Sequence, residues 1–117
     1  MTINNRLELR WTGKDSRPRI EPRILIPVDA SSFHAPTRSN ADQFDNRLIN
    51  GDNLLALKAI EQEFFGKVKC IFIDPPYNTG SAFEHYDDGI EHSLWLNMIW
   101  QRLVVLRNLL SDDGSTR

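Results

Sequence analysis

The chain has 117 residues, of which 40% are hydrophobic and 26% charged, and carries a formal net charge of -2. Such proportions exclude disordered and fibrous classes, and the length sets a ceiling of one small core. Without a global excess of lysine and arginine, affinity for nucleic acid must come from a local arrangement of charge.

No apolar run approaches the roughly 20 residues that span a bilayer, and the start, Met1-Thr-Ile-Asn-Asn-Arg6, lacks the apolar stretch of a secretory signal. A cytoplasmic location without membrane partners is expected. Cys70 is the single cysteine, so disulfides and thiolate zinc sites are excluded; on an apolar run it reads as a small buried hydrophobe.

In chain order, Leu7-Glu-Leu-Arg-Trp11 alternates apolar and polar residues and predicts a short strand, closed by the turn signals of Gly13-Lys-Asp-Ser-Arg-Pro18. Arg23-Ile-Leu-Ile26 is a candidate second strand. This first quarter concentrates Arg6, Arg10, Lys14, Arg17, Arg19 and Arg23, read as a solvated charged face with a phosphate-contacting surface as the alternative. From Asp29 to Asp45 periodicity is lost, which predicts an exposed connection. Residues 1–45 are therefore expected to form an amino-terminal extension, and 46–117 a folded unit.

Leu48-Ile-Asn-Gly51 predicts the end of a strand. Leu54, Leu57, Ile60 and Phe64 then follow at spacings of three and four, predicting a helix from Asn53 to about Phe65. Asp52 or Asn53 suits its cap and Gly66 its termination. Val68-Lys-Cys-Ile-Phe-Ile73 is a nearly continuous apolar run, expected to be a strand buried on both faces of a parallel sheet. Asp74-Pro-Pro-Tyr-Asn-Thr-Gly80 cannot extend a central strand, because proline removes ladder donors, so it is a loop at the strand's carboxyl end. A long helix is predicted over about 91–110 on the stripe Trp95, Ile99, Leu103, Leu106 and Leu110, ended by a turn at Asp112-Asp-Gly-Ser115. Alternation of strand and helix predicts an α/β fold, the start of a doubly wound parallel sheet whose ligands bind outside the carboxyl ends of the strands. Asp52 and the Asp74 loop both fall at such ends.

The loop has a chemistry of its own. Paired prolines fix two φ angles, and the first also restricts Asp74. A carboxylate accepts only, and a proline offers a carbonyl without an N–H, so Asp74 and Pro75 present acceptors to an amino group. Tyr77 can lay its ring on a planar heterocycle, an interaction of roughly 1–3 kcal/mol for a base. The plain structural alternative is a rigid turn with Tyr77 filling the core. His85, Asp87, Asp88 and His92 are read as solvated loop residues, and no metal is expected.

Several long segments together resemble a known family. These are Leu9-Arg-Trp-Thr-Gly-Lys14, Arg17-Pro-Arg-Ile-Glu-Pro-Arg-Ile-Leu25, Asp45-Asn-Arg-Leu-Ile-Asn-Gly-Asp-Asn-Leu-Leu-Ala-Leu57, Gly66 through Asp88, and Leu109-Leu-Ser-Asp-Asp-Gly-Ser115. They resemble the modification subunits of type III restriction–modification systems, within the β class of DNA adenine-N6 methyltransferases. The resemblance implies a Rossmann-like fold and methyl transfer from S-adenosylmethionine to the exocyclic amine of an adenine flipped out of double-stranded DNA. It implies that Asp74 and the Pro75 carbonyl accept from that amine, with Pro76 stiffening the motif, and that Tyr77 stacks on the base and Asn78 lines its pocket. Asp52 matches an acidic position near the cofactor's adenosine, with helix capping as its alternative role, and Asp74 also borders the cofactor. A restriction subunit and a second methyltransferase subunit are the implied protein partners.

The family's glycine-rich F-x-G-x-G motif is not found: the glycines at 13, 51, 66, 80, 89 and 114 form no G-x-G. The expectation is a truncated, incomplete catalytic domain that is inactive alone, with Trp95, Ile99 and Leu106 short of packing partners. Alternatives are a non-catalytic module that docks through helix 91–110 and a methyltransferase acting on RNA or protein amides. Asp rather than Asn at position 74 favours adenine in DNA.

Overall fold

A computed structural model describes residues 7–33, 37, 39–40, 46–76 and 88–117, the side chains of 88–91 excepted. Its regular elements are α1 (Asn53–Phe64), β1 (Val68–Ile71), α2 (Asp88–Leu109) and β2 (Leu110–Thr116), with a 3-10 turn at Asp29–Ser31. β1 and β2 form a two-stranded parallel sheet joined by a crossover through α2, so the chain is a small α/β fold.

α1 begins where the sequence supplies a cap. Asp52 Oδ1 accepts from the backbone N–H groups of Leu54 at 3.0 Å and Leu55 at 3.1 Å, satisfying two donors that the first turn leaves unpaired. The helix ends at Gly66, whose φ of +66° is open to a residue without Cβ. The Gly66 N–H donates to the Asn108 carbonyl at 2.9 Å, and the Asn108 side chain donates to Glu61 at 2.9 Å. The end of α1 is thereby tied to the end of α2. Hydrogen bonds from Asn108 and Lys58 hold the Glu61 carboxyl below its ordinary range.

The core lies between the sheet and the two helices. Ile71, Leu106 and Leu109 are its buried members, with Leu57, Ile60, Phe64, Val68, Ile73 and Leu110 packed against them. α1 uses its spacing as predicted, through Leu57, Ile60 and Phe64. The buried face of α2 instead runs through Val105, Leu106 and Leu109, so that of the predicted stripe Leu106 is buried, Leu103 is exposed and Leu110 belongs to β2. Leu106 has its partners within the chain, against the expectation that the stripe would be left bare. Leu94 and Leu103 remain exposed on the flank of α2.

Four sequence expectations are corrected. β1 is covered on one side only: Phe72 is 81% exposed, and Cys70 is exposed rather than buried, because no second helical layer lies over that face among the described residues. Leu48 is 101% exposed and its segment is not a strand, since no neighbouring strand pairs with it there. Leu7–Trp11 and Arg23–Ile26 are not strands either. The segment expected to be a terminating turn, Asp112–Ser115, lies inside β2.

β2 reconciles turn chemistry with a strand through a bulge. Leu110 faces Val68 and Ser115 faces Cys70, so five steps along β2 answer two along β1. The surplus folds over β1, where a Cβ on Gly114 would lie 2.7 Å from the Val68 carbonyl oxygen. Lys69 and Asp113 bond across the bulge. The ladder continues beyond Ile71, with the Arg117 N–H donating to Ile71 and the Ile73 N–H to Arg117. It stops at Asp74-Pro-Pro76, where ladder donors run out.

The amino-terminal arm packs on the opposite flank of α2. Trp11 Nε1 donates to Asn97 Oδ1 at 2.8 Å, and Asn97 Nδ2 donates to the Thr12 carbonyl at 3.0 Å. Trp11 meets Trp100 edge to face at 5.8 Å, and the Arg17 guanidinium lies over Trp100 at 5.5 Å. Gly13 makes the turn between these contacts with φ +90°, and a Cβ there would approach Asn97 Nδ2 to 2.7 Å. Gly13→Ala is therefore expected to destabilise by about 1–2 kcal/mol, from backbone strain and displacement of the Asn97 amide. A lowered urea midpoint followed by tryptophan fluorescence checks it; an unchanged midpoint would show that the arm does not hold this turn.

Candidate functional site

Two segments, one before α1 and one after β1, converge on α2. The first is Gly51-Asp52-Asn53, before α1, and the second is Asp74-Pro75-Pro76, after β1. Each is bound by a side chain of α2.

Arg102 holds the first segment. Its Nε donates to Asn53 Oδ1 at 2.7 Å, its Nη1 to the Met98 carbonyl at 2.8 Å, and its Nη2 lies 3.8 Å from Asp52 Oδ2. The arginine side chain is only 20% exposed, while that of Asp52 is 54% exposed. Asp52 therefore divides its oxygens: Oδ1 caps the helix, and Oδ2 faces Arg102 and solvent. The capping role is realised.

Trp95 holds the second segment. Its indole Nε1 donates to the Pro76 carbonyl at 2.7 Å. Asp74 and Pro76 are exposed and Pro75 is half-buried, so the acceptor face of the loop is open to an incoming group. Tyr77 and Asn78, together with His85 and Asp87, lie outside the described residues, and the side chain of Asp88 is outside them too.

Neither Trp95 nor Arg102 was legible as a site residue. Trp95 falls on the apolar stripe, where spacing registers its ring and not its N–H. Arg102 reads as an ordinary exposed charge of a helix. The signal that could have found both is their seven-residue separation, which sets them on one face of α2.

The amino-terminal basic residues are largely engaged locally. Arg10 and Lys14 both pair with Glu8, and Arg23 pairs with Glu21. Hydrogen bonds from Lys14 and then Arg10 hold the Glu8 carboxyl below its ordinary range. This favours the solvated-face reading of the segment. Among the described residues there is no group of three or more His, Cys, Asp or Glu side chains placed to hold a metal ion, and no helix is long and apolar enough to cross a membrane.

Residues 68–116, from β1 through β2, match the DNA methylase family. The probable type III restriction-modification enzyme HindVI Mod subunit of Haemophilus influenzae is 46% identical over 76 residues, which is 65% of this chain and 10% of that protein. The type III EcoPI Mod subunit of Escherichia phage P1 is 33% identical over 139 aligned positions, covering 91% of this chain and 21% of that protein. The type II methyltransferase M.EcaI of Enterobacter cloacae is 41% identical over 76 residues, or 60% of this chain and 17% of that protein. The chain thus spans between a tenth and about a fifth of the length of these curated relatives. No solved structure matches it. Residues 68–116, which run through the Asp74 loop and its supporting helix, thus match the DNA methylase family, and the chain, amino-terminal arm included, is similar to the Mod subunits of type III restriction–modification enzymes.

Proposed function

We propose that this chain carries the target-base loop of a DNA adenine-N6 methyltransferase of a restriction–modification system, acting on double-stranded DNA. In this reading β1, α2 and β2 form one crossover unit of a doubly wound, Rossmann-like sheet, and 46–117 belong to the catalytic domain, with 1–45 as its extension. The observation that carries the proposal is an open loop of acceptors at the carboxyl end of a parallel strand. There Pro75, which has no N–H, presents its carbonyl beside the Asp74 carboxylate, and α2 secures the next carbonyl, that of Pro76.

An adenine extruded from the duplex would present its N6 amine to the Asp74 carboxylate and the Pro75 carbonyl, with Tyr77 stacking on the ring and Asn78 beside it. Two acceptors on the two N–H bonds orient the nitrogen lone pair toward the incoming methyl, which is catalysis by orientation and needs no covalent nucleophile. S-adenosylmethionine, when bound, supplies the electrophilic methyl group. Asp52 suits such a cofactor because its Oδ2 is left off the helix cap and stays open to an adenosine hydroxyl or amine. Asp74 borders both ligands. A restriction subunit and a second methyltransferase subunit are the protein partners this reading assigns.

Product analysis tests the proposal. The protein expressed from its native locus is incubated with duplex DNA and methyl-labelled S-adenosylmethionine, and the DNA is hydrolysed to nucleosides. Label in N6-methyldeoxyadenosine is expected; label confined to methylcytosine, or to RNA or protein, would overturn it.

A further inference from the structure

We propose that Trp95 is a positioning residue for the target amine, acting through the Pro76 carbonyl; this rests on the methyltransferase reading above. Consecutive prolines give the loop two adjacent carbonyls and no N–H, so the loop cannot satisfy its own acceptors. Ring closure fixes φ at Pro75 and Pro76, and Pro76 also restricts ψ at Pro75, but ψ at Pro76 stays free, and ψ decides where a carbonyl points. The indole N–H of Trp95, 2.7 Å from the Pro76 oxygen, sets the plane of the peptide that follows Pro76. With that carbonyl directed at the indole, Pro75 O and the Asp74 carboxylate stand beside it as acceptors for an amine.

The donor itself is well anchored. Two residues on, Asn97 binds the arm through Trp11 and Thr12. Seven residues on, Arg102 binds Asn53, so α2 cannot roll without breaking bonds at both ends of this span. Trp95 touches neither ligand. Its effect is to fix the direction of the Pro76 carbonyl, and such a role resides in one N–H rather than in the apolar ring.

The test separates the N–H from the ring. Trp95→Phe and, in a second protein, 3-benzothienylalanine at position 95, which keeps the bicyclic shape but has sulfur in place of N–H, are compared with wild type. For the sulfur isostere kcat is expected to fall about 10- to 100-fold, with KM for S-adenosylmethionine and melting temperature unchanged. Wild-type kcat in the isostere overturns the positioning role, whether or not Trp95→Phe folds. The ¹³C resonance of the Pro76 carbonyl reports the bond independently of turnover: a shift on sulfur substitution is expected, and identical resonances overturn the hydrogen bond. A wild-type protein that transfers no methyl to DNA overturns the methyltransferase reading and the catalytic purpose of Trp95 with it, while the carbonyl resonance still reports whether Trp95 binds Pro76.

Discussion

Replacing Asp74 with alanine is expected to lower methyl transfer by about 10²–10³-fold, the magnitude associated with removing one preorganised polar partner from a reacting group. Asp74 is exposed at the end of a strand and makes no contribution to the core, so stability should stay within roughly 0.5 kcal/mol of wild type. Separating the two effects is the purpose of the experiment. A rate loss accompanied by equal loss of folding would mean that the carboxylate is structural. Retained methylation in a folded Asp74→Ala protein would remove the residue from the reaction. The expected signature is a fall in kcat at nearly constant KM for S-adenosylmethionine, because orientation of the amine matters most when the methyl is in flight.

The largest effect on stability is expected at Leu109. This residue is 3% exposed and joins Ile71 and Leu106 in the core, directly before the chain passes from α2 into β2. Leu109→Ala should cost about 2–5 kcal/mol, the transfer free energy of the lost methylenes plus the cavity they leave. In a small core this approaches the whole margin of stability. Leu103, 37% exposed on the same helix, provides the control, and its alanine variant should cost well under half as much. Denaturant titration of the two variants checks both; equal losses would mean that α2 does not pack by the face described.

Legibility in the sequence divides by the range of the interaction. α1 could be read almost to the residue, because its cap, its apolar spacing and its terminating Gly66 are all local signals. The Asp74 loop could be read for the same reason: proline acts on its immediate neighbours. β2 could not. Leu110-Ser-Asp-Asp-Gly-Ser-Thr116 has neither alternation nor β-branched enrichment, and it becomes a strand because the backbone of β1 lies alongside it. Leu48 failed in the opposite sense, since a strand-like run with no partner does not become a strand and stays exposed. The bond between Trp11 and Asn97 joins residues 86 positions apart, and that from Trp95 to Pro76 joins a helix to a loop 19 positions earlier. No periodicity encodes such pairs. The family resemblance supplied roles for Asp74, Pro75 and Tyr77, yet it pointed at the acceptors and left their scaffold unnamed.

That scaffold makes α2 a ruler. Its marks are Trp95 and Arg102, about 10 Å apart along the axis at the rise of an α-helix, and each mark grips one of the two segments, that before α1 or that after β1. Helices resist stretching, so the spacing between the loop that would receive the base and the turn that would face the cofactor is set by residue count, and a sheet free to twist does not decide it. Adding a single residue between the marks would swing one of them through about 100° and release its segment. The same addition among Ser111–Gly114 would only enlarge a bulge that already carries surplus chain. Length variation is therefore costly inside the helix and cheap just beyond it, although the two stretches are neighbours in sequence.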